Sequence, residues 1–146
     1  ARNLNRAVVT IAPQLLEKVA ILHVTGTANY QEVLEHAPEH IDYIIKPFIP
    51  EGLAIAFGAA DLVMTRAGAT TIIELAAMAK PIIIVPAPQL AGGHQLKNAE
   101  VYGEAGAAVV LQEEDIILDQ LHRFARPDAA LDMAALIAEA AATKKA

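Results

Sequence analysis

From Thr65 to Glu74 the chain reads Thr-Arg-Ala-Gly-Ala-Thr-Thr-Ile-Ile-Glu, a stretch whose residue types suit an anion followed by a sugar. Gly68 and Ala69 leave the backbone open to close approach. The first amides of a helix starting there have no partner inside it, so they present a positive end that fits a diphosphate. Thr70 and Thr71 add hydroxyl donors. Glu74 stands at i+4 from Thr70 on the same side of the helix, where a carboxylate accepts hydrogen bonds from both hydroxyls of a ribose. The spacing Thr71-x-x-Glu74 is equally that of a capping box, in which Glu74 only folds back on the helix start.

Two further loops carry polar groups at comparable places. Pro86 to Asn98 begins with a stiff Pro-Ala-Pro, loosens at Gly92-Gly93, and gathers His94, Gln95 and Asn98 at a helix start, where sugar hydroxyls could be read. The same three residues would also serve to cap and solvate that helix. Lys46-Pro-Phe-Ile-Pro50 is held extended by its prolines. Ile49 there could offer backbone amide and carbonyl to the edge of a base, with Phe48 as an apolar wall, although proline-bounded turns often bind nothing.

The elements that would position these loops alternate along the chain. Leu4, Ala7, Val8, Ile11 and Leu15 mark a first helix. Strands are expected at 19–24, 41–45, 62–64, 81–85 and 108–111, and helices at 30–37, 51–60, 70–78, 95–104, 115–124 and 128–142. Short apolar strands separated by helices imply right-handed crossovers and an α/β fold, a doubly wound parallel sheet covered on both faces. Ligands in such sheets bind at the carboxyl ends of the strands, where all three loops fall. At 146 residues the expectation is one domain, 1–146.

Several chemistries are excluded by inventory. With no cysteine there is no thiolate nucleophile, disulfide or Cys-ligated metal. A formal net charge of −6 does not suit phosphate neutralisation along a nucleic acid or an anionic lipid surface. His23, His36, His40, His94 and His122 show no metal-ligand spacing, and no Asp-x-Asp pair is present to hold a divalent ion beside a diphosphate. His23, inside an apolar strand, reads as a core or loop-facing residue rather than a base. No apolar run reaches the roughly 18 to 20 residues needed to span a bilayer, so a soluble domain is expected; the negative charge disfavours membrane contact of its own, and the absence of cysteine is compatible with a reducing, cytoplasmic setting.

Taken in order, Ala60-Asp-Leu-Val-Met-Thr-Arg66-Ala-Gly-Ala-Thr-Thr-Ile-Ile-Glu74, then Pro81-Ile-Ile-Ile-Val-Pro86, His94-Gln-Leu-Lys-Asn-Ala99 and Glu104-Ala-Gly-Ala-Ala, the chain resembles the C-terminal domain of the MurG-type glycosyltransferases of peptidoglycan synthesis. The resemblance covers essentially its whole length. It implies the donor-binding half of a two-domain enzyme of GT-B fold, which transfers N-acetylglucosamine from its uridine diphosphate to a lipid-linked muramyl-pentapeptide with inversion and without a metal. On that resemblance Ala69 to Ile72 contact the diphosphate with Gly68 in the same turn, Glu74 the ribose, Ile49 the uracil through its backbone, and Gln95 the sugar. His94 and Asn98 support the sugar loop. Arg66 either neutralises phosphate or braces its loop.

Two parts of the family pattern fall outside these residues: a Gly-rich loop that would end just before Ala1-Arg2-Asn3, and the N-terminal acceptor domain with the general base and a membrane-facing patch at the cytoplasmic face. The expectation is therefore an N-terminally truncated donor domain that is inactive alone. In the strand order 3-2-1-4-5-6 the first strand is central, so its absence leaves two strand edges facing a gap that something is expected to fill. The alternatives are the donor subunit of a two-chain or glycolipid transferase, a sugar-nucleotide epimerase of the same fold, and a non-catalytic sugar-nucleotide-binding module.

Overall fold

The first helix, α1 (Arg2–Leu15), forms because small and aliphatic residues recur on one side; Ala7, Ile11 and Ala12 are buried. Pro13 lies within its last turn, where it withholds the amide hydrogen that would bond the carbonyl of Val9. In the computed structural model, residues 2–87, 94–104 and 108–111 are described, with the backbone alone for 94–96. The helices expected over 115–124 and 128–142 lie outside the described residues.

After α1 come β1 (Ile21–Val24), a short 3-10 turn (Thr27–Asn29), α2 (Tyr30–His36), β2 (Tyr43–Lys46), α3 (Leu53–Ala59), β3 (Val63–Thr65), α4 (Ala69–Ala77), β4 (Ile82–Ile84), α5 (His94–Glu104) and β5 (Val109–Val110). The alternation is that read from the sequence, with strand ends shifted by at most two residues. All pairings are parallel. β1 pairs β2 from Ile21↔Tyr43 to Val24↔Lys46, and β4 lies between β3 and β5, with Val63↔Ile82 and Ile83↔Val109.

The described strands make a two-stranded and a three-stranded sheet rather than one. These pairings are the ones a 3-2-1-4-5-6 order retains when its first strand is left out. Among the described residues, no strand occupies the second edge of β1 or of β3.

The chain divides into two units, one containing Ala1–Gly52 and the other Leu53–Asp115. In the first, Ala12, Leu16 and Tyr43 form the apolar core, with Ile21, Ala37 and Ile45 against it. Arg2 and Arg6 both reach Glu32, at 3.0 and 2.7 Å, and join α1 to α2. The Arg6 hydrogen bond, with the two guanidinium charges, holds the Glu32 carboxyl below its ordinary value. Being exposed, this cluster orients the helices more than it stabilises them.

In the second unit β4 is buried on both faces, as a central parallel strand should be. Ile72 and Leu75 of α4, one turn apart, pack on Ile82 and Ile84 with Ala67 and Ala99. The end of α4 is a Schellman turn: Lys80 N–H bonds Leu75 O at 3.0 Å and Ala79 N–H bonds Ala76 O at 3.0 Å. Ala79 consequently sits at φ 55°. Lys80 Nζ then donates to Gly58 O at 2.8 Å and Ala60 O at 2.7 Å, satisfying carbonyls at the negative end of α3.

Candidate functional site

The turn from β3 into α4 is built by a strand that ends on its last rung and a helix that begins four residues later. Val85 N–H bonds Thr65 O at 2.8 Å, and Ile72 N–H closes the first helical turn on Gly68 O at 3.1 Å. The amides of Ala69, Thr70 and Thr71 precede that first bond and have no helical partner. They point out of the helix start beside the exposed Ala69 and Thr70. Ile72 sends its side chain into the core, where it is fully buried, and so anchors the turn.

Gly68 is the N-cap, at φ −70° and ψ 125°, with no side-chain cap bond. Any L-residue adopts that backbone conformation. A Cβ built on it meets nothing within 4 Å. Neither conformation nor packing among the described residues therefore calls for glycine here, whereas the commonest N-caps carry a side-chain acceptor. What a bare backbone gives at this point is access for another molecule to the helix start.

The capping-box alternative does not form. A capping box joins the N-cap to the third helical residue, and with Gly68 as N-cap that third residue is Thr71. Glu74 lies three residues further in, exposed, and its carboxylate makes no hydrogen bond or ion pair among the described residues.

Arg66 is part-buried, and its Nη1 donates to Val85 O at 3.3 Å and Pro86 O at 3.5 Å. It ties the end of β3 to the chain leaving β4. Asn98, on α5, donates from Nδ2 to Ala67 O at 3.3 Å, in the same turn. His94 and Gln95 open α5; their side chains lie outside the described residues, as does the Gly92-Gly93 segment.

In the first unit Ile49 is half-buried in an extended stretch after β2. Neither its amide nor its carbonyl makes a hydrogen bond among the described residues, which leaves both available to a planar donor–acceptor edge. Phe48 beside it is 56% exposed, a large apolar surface to leave in water.

One polar cluster had only a faint sequence signal. Asn5 lies on the buried side of α1 and His23 in an apolar strand, and the structure joins them. Asn5 Nδ2 donates to Thr25 O at 2.8 Å, which turns its Oδ1 toward His23 Nε2 at 2.9 Å. The other ring nitrogen, Nδ1, is 2.9 Å from Tyr43 Oη, and the two rings lie parallel. The amide orientation fixes the tautomer: Nε2–H donates to Asn5, and Nδ1 accepts from the Tyr43 hydroxyl. Burial pushes His23 down to about 4 and Tyr43 up to about 12, so both stay neutral. The cluster holds the end of β1 just before Gly26, whose φ of 79° and ψ of 146° suit glycine alone. His23 is thus a core residue, and no group of three or more His, Asp or Glu able to hold a metal occurs among the described residues. Nor is any described helix long and apolar enough to cross a membrane.

Comparison with known proteins places this arrangement. The Glycosyltransferase family 28 C-terminal domain matches residues 1–145. A Bacillus cereus protein named UDP-N-acetylglucosamine--N-acetylmuramyl-(pentapeptide) pyrophosphoryl-undecaprenol N-acetylglucosamine transferase 1 is 40% identical over 127 residues, 84% of this chain and 35% of the relative. A transferase of the same name, without the final numeral, from Natranaerobius thermophilus is 36% identical over 123 residues, 80% of this chain and 34% of the relative. The chain thus spans about a third of the length of these relatives. Among solved structures, MurG of Acinetobacter baumannii superposes with a TM-score of 0.66 at 24% identity, over 99% of this chain and 42% of that one. At that identity the superposition bears on the fold, and it is the fold of a GT-B transferase's C-terminal domain.

Proposed function

Since the chain belongs to the Glycosyltransferase family 28 C-terminal domains, we propose that it binds UDP-N-acetylglucosamine as the donor half of an inverting N-acetylglucosaminyltransferase, the parent enzyme making the lipid-linked disaccharide precursor of peptidoglycan. The observation that carries this reading is Gly68, a glycine required by neither its backbone angles nor its neighbours, at the mouth of a helix whose first amides are free.

In this reading the amides of Ala69, Thr70 and Thr71 and the two threonine hydroxyls receive the diphosphate, with Ile72 anchoring that turn in the core. Glu74, held by no partner of its own, accepts from the ribose hydroxyls. Ile49 supplies amide and carbonyl to the uracil edge, and Gln95 contacts the sugar, with His94 and Asn98 supporting the same loop. As the bond from the anomeric carbon to the diphosphate breaks, negative charge grows on the departing oxygen. The N-terminus of α4 stabilises that charge with donors already in place, so no metal is needed. The parent's acceptor, a lipid-linked muramyl-pentapeptide, and its general base belong to a second domain at the cytoplasmic membrane face. The 146 residues alone bind donor and do not turn it over.

Nuclear magnetic resonance titration of the chain with UDP-N-acetylglucosamine tests this directly. Shift changes should concentrate at Gly68 to Thr71, at Glu74 and at Ile49. Gly68→Ala should leave the melting temperature unchanged while weakening binding by about tenfold, since a methyl group enters the space the diphosphate needs. Glu74→Ala, losing charge-assisted bonds worth about 1.5–3 kcal/mol each, should weaken it by tenfold or more. Saturable binding that ignores both substitutions, or no binding at millimolar donor, would refute the reading.

A further inference from the structure

Two side-chain bridges in the second unit lie next to the donor loop without belonging to it. The β3–β4 ladder ends with Val85 N–H on Thr65 O. Past that rung the two chains diverge, one into α4 and the other toward α5, and backbone pairing no longer holds them in register. Side chains take over at this point. Arg66 reaches across to the carbonyls of Val85 and Pro86, and Asn98 reaches back to the carbonyl of Ala67. Val85, Pro86 and Ala67 are all buried, where a carbonyl left without a donor is costly. Both Arg66 bonds come from one guanidinium nitrogen, Nη1, shared between two successive carbonyls at 3.3 and 3.5 Å.

The geometry points to Arg66 and Asn98 as positioning residues that fasten the β3–α4 turn, Arg66 to the chain leaving β4 and Asn98 to α5, so that diphosphate and sugar contacts of a donor are set together. The inference rests on the donor reading for the ligand but on the two bridges alone for the brace. Arg66 Nη1 donates to carbonyls of its own chain, and on this inference its part in binding is the placement of Gly68 to Thr71. Asn98, four residues into α5, carries that placement to the helix start, where Gln95 lies.

The consequence is a coupling between two halves of one ligand. Of the two helix starts, UDP reaches only that of α4, whereas UDP-N-acetylglucosamine uses that of α5 as well. Asn98→Asp keeps the shape but turns a donor into an acceptor facing Ala67 O, and it should reduce the preference for UDP-N-acetylglucosamine over UDP by about threefold or more, the worth of one hydrogen bond. In a Gln95→Ala background the same change should leave that preference unmoved, because the sugar contact it positions is already gone. A residue that merely stabilises the fold would lower both affinities alike in either background.

Calorimetry of UDP and UDP-N-acetylglucosamine with the chain and these variants reads the ratio, and amide hydrogen exchange without ligand reads the brace. Asn98→Asp should speed exchange at Ala67 to Thr71 and at the start of α5 together. Should Asn98→Asp fail to fold, Arg66→Met, which keeps the apolar stem and loses both bonds, carries the exchange measurement at Ala67 to Thr71. Unchanged exchange in these segments in a folded variant overturns the brace, as does an equal loss of both affinities. If the unaltered chain binds neither nucleotide the donor reading falls, and the exchange measurement decides the brace by itself.

Discussion

Acidification should unfold this protein earlier than its carboxylates require, because His23 is buried neutral with every polar atom of its ring occupied. Folded, its pKa is pushed down to about 4 by burial; unfolded, it returns to the ordinary 6.5. Going down in pH, the unfolded chain takes up the proton first. The stability His23 contributes is therefore whole above pH 6.5, falls as pH drops from 6.5 toward 4, and falls no further below that. At about 1.4 kcal/mol for each tenfold change in proton affinity, the loss amounts to about 3 kcal/mol. Against a typical total of about 5–15 kcal/mol this is a large share.

The bonding explains why the network resists the proton. Nδ1 accepts from Tyr43, whose hydroxyl burial keeps protonated up to about 12. Charging the ring puts a hydrogen on Nδ1, so the tyrosine hydroxyl must turn away, and no acceptor for it appears among the described residues. Urea unfolding followed by circular dichroism from pH 8 to 4 measures the effect, with His23→Gln as the reference, since glutamine offers a donor and an acceptor but does not titrate. The unaltered chain should lose about 3 kcal/mol more than the variant across that range. Taking the difference removes groups common to both, including Glu32, whose depressed carboxyl matters only as pH falls below the ordinary carboxylate range. Parallel profiles, or an imidazole midpoint near 6.5 in the folded chain, would refute the reasoning.

Two packing details of the second unit give independent outcomes. A Cβ on Gly103 would stand 2.8 Å from Val110 Cγ2, so Gly103→Ala should push α5 off β5 and cost about 1–3 kcal/mol in urea unfolding; an unchanged midpoint would mean that contact is not made in solution. Ala79, at φ 55° in the Schellman turn, occupies the position glycine prefers, and Ala79→Gly should raise stability by about 1 kcal/mol, visible as a higher melting temperature.

The alternation of elements was legible because the apolar periods change cleanly: Ile82 to Ile84 is solid aliphatic, and Ile72 and Leu75 keep helical spacing. Element ends were less so. The strand expected from Val19 starts at Ile21, because Val19 N–H is still bonded to Leu15 O in the turn that ends α1. The split into two sheets agrees with the expected strand order, in which β2 and β3 follow each other in sequence without being neighbours. The loops proposed to meet a ligand were marked out by their glycine, threonine and proline content. The partners of Arg66 and Asn98 were not, because they depend on where strands β3 and β4 stop pairing, which no local spacing reports. The Asn5–His23–Tyr43 cluster left only the trace of polar residues at apolar positions.

Polar groups in this chain divide by what satisfies them, and that division separates framework from site better than residue type does. Asn5, His23, Tyr43, Lys80, Arg66 and Asn98 all spend donors or acceptors on the chain itself, mostly on backbone carbonyls, and each can be assigned a piece of the fold. The amides of Ala69 to Thr71, the Thr70 hydroxyl, the Glu74 carboxylate and the backbone of Ile49 spend nothing on the described chain. Exposure alone accounts for a threonine or a glutamate, which water can serve. It does not account for a helix N-cap without a side chain where a Cβ would meet nothing among the described residues. Serine or aspartate at position 68 would add a few tenths of a kcal/mol of capping over glycine, and on the proposed reading the chain forgoes it to keep the helix amides open for an acceptor that comes from outside.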